Sequence, residues 1–134
     1  MIACKKLTQD DVAKILEASL AHAKANNWLV TVAVCDSGGY LLGLQRMDGA
    51  PVMSSIIAGD KARASALSGK PTKGIEDMIN GGRVAAVNMP VVGLEGGEPI
   101  VVDGHVIGAV GVSGVKANED AEIAQKGIAA LNIA

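Results

Sequence analysis

The sequence predicts an α+β layer fold, an antiparallel sheet with helices packed on it, and three observations carry that expectation. Two apolar stretches are folded back on themselves by short turns, at Asp36-Ser37-Gly38-Gly39 and at Asp103-Gly104, so that strand follows strand in hairpins. Segments near the beginning and the end repeat apolar residues at helical spacing. The strand-helix alternation of a dinucleotide-binding fold is missing. At 134 residues the chain reads as a single domain, 1–134, long enough to bury a real core.

The first helix starts at Leu7-Thr8-Gln9-Asp10-Asp11-Val12, where Thr8 caps, Asp11 returns a bond to the cap backbone and Leu7 staples onto Val12. Val12, Ile15, Leu16, Ser19, Leu20 and Ala23 form its inner stripe, with His22 beyond the stripe's edge and Asn26-Asn27 as the stop. Trp28 to Cys35 is a strand whose Val30, Val32 and Val34 share one face, leaving the smaller Thr31, Ala33 and Cys35 on the other. Tyr40 to Arg46 pairs with it antiparallel. A second helix runs from Met53 to Ser68, with Ala58, Ala62 and Ala66 in a row that admits another backbone closely, and Gly69 and Pro71 end it. Lys73 to Ile79 is a shorter helix, and Val91-Val92 is a candidate start for an edge strand. Ile100-Val101-Val102 and His105-Val106-Ile107 flank the Asp103-Gly104 turn, which suits a type I′ hairpin. Glu119 to Leu131 is the last helix, capped by Asn118 and carrying acids in its first turn.

Composition excludes several classes of function. Hydrophobic residues make up 49% and aromatic ones 1%, so the core must be built from Val, Ile, Leu, Ala and Met. A mean hydropathy of +0.33, without an apolar run of about 18 residues, argues against a membrane span and for surface buried between copies in a homo-oligomer. The net charge of -2 and near absence of stacking aromatics argue against nucleic acid. The beginning, MIACKKLTQDD, lacks the apolar region of a signal peptide, so a cytoplasmic location is expected. Cys4 and Cys35 form no CxxC pair and read as two small buried hydrophobes.

The run GGEPIVVDGHVIGAVGVSG, from Gly96 to Gly114, places glycine at every third position of its second strand: Gly108, Gly111 and Gly114. That spacing matches neither a dinucleotide loop, nor a P-loop, nor a nucleophile elbow, so close packing is the reading it favours. The amides beside Ser113 and Gly114 precede a helix and are candidates for an anion. His22 and His105 are the only histidines. His22, on a helix, is the candidate ligand for a metal or haem iron, whereas no paired-Cys or HExxH pattern supports zinc. Asp36, Asp48, Lys61 and Arg63 are candidates for a polar patch in a pocket, with a solvated loop acid and an exposed lysine whose charge interrupts the alanine row as the plain alternatives, while Glu119 and Asp120 suit the dipole at a helix start. No nucleophile-base pair is visible.

Three stretches taken together, VAVCDSGGYLLGLQRMDGA, IAGDKARASAL and GGEPIVVDGHVIGAVGVSG followed by EDAEIAQKG, resemble the GlcG/HbpS family. That family includes the C-terminal domain of PduO-type proteins and small accessory proteins encoded beside glycerol or diol dehydratases. The resemblance runs from Leu7 to Leu131. It implies a profilin-like sandwich, with a sheet of about five antiparallel strands flanked by helices, assembled into dimers or octamers. It also implies a small-ligand-binding protein that takes haem or a related tetrapyrrole, accessory to glycolate or glycerol/diol metabolism, with a dehydratase or a sensor as partner. His22 is the positional match to a haem-ligating histidine. Asp36, Arg46, Asp48, Lys61, Gly111, Ser113, Glu119 and Asp120 match the family pattern, while Ile57-Ala58 stands where relatives often carry Phe. Two alternatives stay open: an enzyme for a small carbonyl or hydroxy-acid metabolite using Asp48, Lys61 or Glu119, and a non-catalytic stabilising subunit.

Overall fold

A computed structural model describes residues 1–133. Helix α1 (Gln9–Ala25) opens with the expected reciprocal cap: the Asp11 N–H donates to the Thr8 hydroxyl at 3.2 Å and the Thr8 N–H to the Asp11 carboxylate at 2.8 Å. Strands β1 (Thr31–Asp36) and β2 (Leu41–Arg46) form the first hairpin, whose turn is held by Gly38 and Tyr40 N–H groups donating to the Asp36 carboxylate. Helix α2 (Ser54–Ser68) ends at Gly69, which takes the left-handed conformation that releases the chain. Helix α3 (Lys73–Asn80) follows, then a short 3₁₀ turn at Val84–Asn88. Strands β3 (Gly97–Val102) and β4 (His105–Ser113) flank Asp103 and Gly104, with φ of 51° and 77°, as a type I′ turn demands. Helix α4 (Ala117–Ala129) closes the fold.

The four strands lie in the order β2-β1-β4-β3, antiparallel throughout. The two hairpins therefore meet at the centre, where Thr31 faces Ser113 and Asp36 faces Gly108. Because side chains alternate along a strand, β1 and β4 serve two unlike layers. Val30, Val32, Val34, Val110 and Val112 pack with Ile15 of α1 and Ile123 of α4 on one side. Ala33, Cys35 and Ala109 pack with Ala58, Ala62 and Ala66 of α2 on the other. The result is the expected profilin-like sandwich.

Several local expectations change. The sheet has four strands, because Val91-Val92 stays in the loop that follows Pro90 and pairing resumes only at Gly97. Helix α4 starts before Asn118: the Glu119 carboxylate accepts the Lys116 N–H at 3.2 Å, so an acid inside the first turn does the capping expected of Asn118. Cys4 is exposed. Cys35 is buried as expected, and burial pushes its thiol up to about 11, which keeps it protonated at neutral pH. Among the described residues no helix is long and apolar enough to cross a membrane.

Candidate functional site

Most of the residues singled out in the sequence meet around one end of the sheet. There Arg46 of β2 and Ser113 of β4 register on either side of Thr31 of β1. The Thr31 and Ser54 hydroxyls lie 2.7 Å apart, and the Arg46 guanidinium donates to the Ser55 hydroxyl at 3.1 Å, which fixes the start of α2 to this end. Asp48 is exposed in the turn after β2, and Ser113 is buried at the end of β4.

Lys61 lies deeper at the same end. Its side chain is buried between α2 and β4, where the ammonium donates to the Val112 carbonyl and to the Asp120 carboxylate, both at 2.9 Å. The other Asp120 oxygen accepts the Val115 N–H at 3.2 Å. Burial pushes the Asp120 carboxyl up, and the Lys61 hydrogen bond and charge oppose that shift. This pair joins α2 on one layer to α4 on the other, past the edge left open by glycine. A Cβ at Gly96 would sit 2.8 Å from the Lys61 nitrogen, and one at Gly97 would run into the Lys61 carbonyl. Thr72 holds Gly97 in place, taking its N–H at 2.9 Å while the Thr72 N–H donates to its carbonyl at 3.0 Å. Gly111 has the same spatial role under α2, since a Cβ there would collide with the Ala58 carbonyl and the Ala62 amide. The solvated-lysine alternative for Lys61 is thus excluded, and its partner Asp120 was visible in sequence as a helix-start acid and a match to the family pattern, not as the partner of Lys61. The one signal for a buried role was a charge inside an alanine row, which reads equally as an interruption.

His22 stands apart, at the seam between α1 and α4. Its side chain is 24% exposed, its Nε2 lies 2.7 Å from a Glu122 carboxylate oxygen, and its ring meets Trp28 edge-on at 5.9 Å. A carboxylate only accepts, so Nε2 carries the proton and the imidazole lone pair, when the ring is neutral, is on Nδ1. Glu122 has no signal in sequence as a partner, being 100 residues away. Along the same seam Ala18, Ala21 and Ala130 line a shallow cleft of about 400 Å³ with Lys14 and Glu17.

Comparison with known proteins decides the kinship. A family model described as "Haem degrading protein HbpS-like" matches residues 7–129. The chain belongs to the HbpS-like family. It is 49% identical over 108 residues to protein GlcG of Escherichia coli, a match covering 80% of this chain and 81% of GlcG. Among solved structures it is similar to the Klebsiella pneumoniae protein ORFY, with a TM-score of 0.91 at 28% identity over 98% of this chain and 94% of that one. It is also similar to PduOC in a crystal structure described as a PduOC:haem complex, with a TM-score of 0.87 at 29% identity over 97% of this chain and 98% of that one. In this member of the HbpS-like family Lys61 and Asp120 are bonded to each other within the sheet end, and His22 is paired with Glu122 at the α1–α4 seam.

Proposed function

We propose that this protein is a cytoplasmic, homo-oligomeric small-ligand-binding protein that takes haem or a related tetrapyrrole, which His22 would hold through a ring nitrogen. The observation that carries the reading is the match, through 97% of the chain, to a relative whose structure holds haem. The donor chemistry of the chain fits. A macrocycle brings its own ring nitrogens, so a single side chain completes its attachment. That suits a protein in which, among the described residues, no group of three or more His, Cys, Asp or Glu is placed to hold a bare metal ion. Glu122 backs His22 as carboxylates back ligating histidines, orienting the ring. Bound haem supplies iron-centred redox chemistry, and the protein's part is to hold and orient it. Asp48 and Ser113 enter as polar contacts for a small ligand at the sheet end, and Lys61, Gly111 and Glu119 as the groups that keep that end in shape. Kinship with GlcG and with PduO-type proteins supports an accessory role in glycolate or glycerol/diol metabolism, with a dehydratase or a sensor as partner.

Titration with haemin tests the assignment. A saturable Soret shift is expected, lost in His22→Ala and weakened by about tenfold in Glu122→Gln, the lower end of the effect of removing such a supporting carboxylate. No saturable shift, or a shift unaffected by His22→Ala, overturns the ligation.

Self-association has its own support. Helix α2 lies over β1, β4 and β3 and leaves β2 largely bare. Leu41 and Leu44 of β2, which share the face of Cys35 and Ala33, are 59% and 37% exposed, and Met53 and Ile56 at the start of α2 are 66% and 68% exposed. A monomer leaves that apolar surface in water. Light scattering is expected to give a multiple of the 13.5 kDa chain mass, and a single 13.5 kDa species at all working concentrations overturns the expectation.

A further inference from the structure

The outer face of α2 carries two opposite charges that do not meet. Asp60 and Arg63 are three residues apart, a spacing at which acid and base ordinarily pair on a helix. No salt bridge or hydrogen bond joins them, and neither side chain bonds another among the described residues. Instead both line one cleft of about 470 Å³, whose remaining wall is Met89, Pro90, Val91 and Val92. The Arg63 stem is braced over the first hairpin turn, its Cγ 2.8 Å from where a Cβ on Gly39 would lie, while the guanidinium keeps its donors free. The Met89 and Val91 wall is shared with a second hollow of about 270 Å³, lined by Pro71, Ile75 and Met78 among others. The Val91 and Val92 amides, in the loop between them, donate to no acceptor among the described residues.

We propose that this double cleft binds a small carboxylate that has a hydrogen-bond donor on the neighbouring carbon and an apolar tail. Each part of the ligand has a counterpart. The planar Arg63 fork matches a carboxylate in a two-bond geometry that a point charge cannot reproduce. Asp60, an acceptor beside that fork, repels a bare carboxylate and favours one with an adjacent hydroxyl or ammonium. Val91 and Met89 lead the tail toward Ile75 and Met78, where its methylenes leave water. The site lies on the α2 layer, across the sheet from His22, so it does not depend on the haem reading.

The test uses three probes of one skeleton: leucine, its hydroxy-acid analogue and isocaproate, which lacks the donor. Amide and guanidinium resonances are followed by NMR on the intact protein. Saturable shifts at Arg63, Val91 and Val92 are expected with leucine or the hydroxy acid, with isocaproate weaker. Arg63→Met, at an exposed position, is expected to leave the remaining spectrum in place and weaken binding by about tenfold or more, the scale of a lost charge-assisted pair. Asp60→Asn is expected to narrow the gap between the hydroxy acid and isocaproate. No saturable shift with any probe, or affinity unchanged in Arg63→Met, overturns the site; equal affinities for all three probes overturn the part assigned to Asp60.

Discussion

Asp120→Ala is expected to lower the unfolding free energy by about 3–5 kcal/mol, the range for breaking a buried ion pair from one side. Lys61 is only 4% exposed, and its ammonium would keep the Val112 carbonyl as its single partner, while the Val115 N–H would lose its acceptor. Chemical denaturation of the variant measures the effect. The double variant Lys61→Met with Asp120→Leu is expected to recover most of the loss, because the two charges are then removed together and apolar volume replaces them. A loss below about 1 kcal/mol in Asp120→Ala would mean that the ammonium escapes to water, and the pair would no longer account for how α2 is joined to α4.

Gly111→Ala is the second large effect, about 3 kcal/mol, at the upper end of overpacking penalties. A methyl group there meets the Ala58 carbonyl and the Ala62 amide, and backbone cannot rotate aside as a side chain can. Either α2 lifts from the sheet, opening the layer of Ala33, Ala58, Ala62 and Ala109, or β4 distorts beside β1. Gly59→Ala in the same helix is the control. Nothing lies within 4 Å of its added methyl, so the substitution is expected to stabilise by up to about 1 kcal/mol through helix propensity alone. A loss below about 1 kcal/mol in Gly111→Ala would show that the α2 backbone does not lie close enough to the sheet to exclude a methyl group there.

The glycine strand shows how far the two levels of description reach. Its period of three is visible in the sequence, and rejection of the phosphate-binding motifs follows from spacing alone. What the glycines admit is not visible. Gly111 admits the α2 backbone, Gly96 and Gly97 admit the Lys61 stem and carbonyl, and Gly114 lies against the Leu29 carbonyl. Each neighbour is distant in the chain. A vacancy is written in sequence at the residue that lacks a side chain, whereas its occupant is chosen by topology.

The same division holds for the candidate site. His22 was legible as one of two histidines, but Glu122 was not, because the pairing exists only once α1 and α4 lie side by side. The Asp60 and Arg63 cleft is closed by the loop at Met89 to Val92, of which Val91-Val92 suggested in sequence the start of an edge strand. Local signals did better. The Thr8 and Asp11 cap, the Gly69 stop and the Asp103-Gly104 turn are fixed by residues within a few positions of one another, and all three form as expected.

By itself, then, the sequence determined the layer class, the hairpins, the start of α1, the end of α2 and the two unlike faces of β1, since capping, turn geometry and period-two alternation act over a few residues. Only the tertiary structure decided that Lys61 is buried with Asp120, that Gly111 lies under α2, and that Arg63 is left without a partner among the described residues. Those outcomes depend on which distant segments the sheet order brings together, and a charge or a missing side chain carries no record of the surface it will meet.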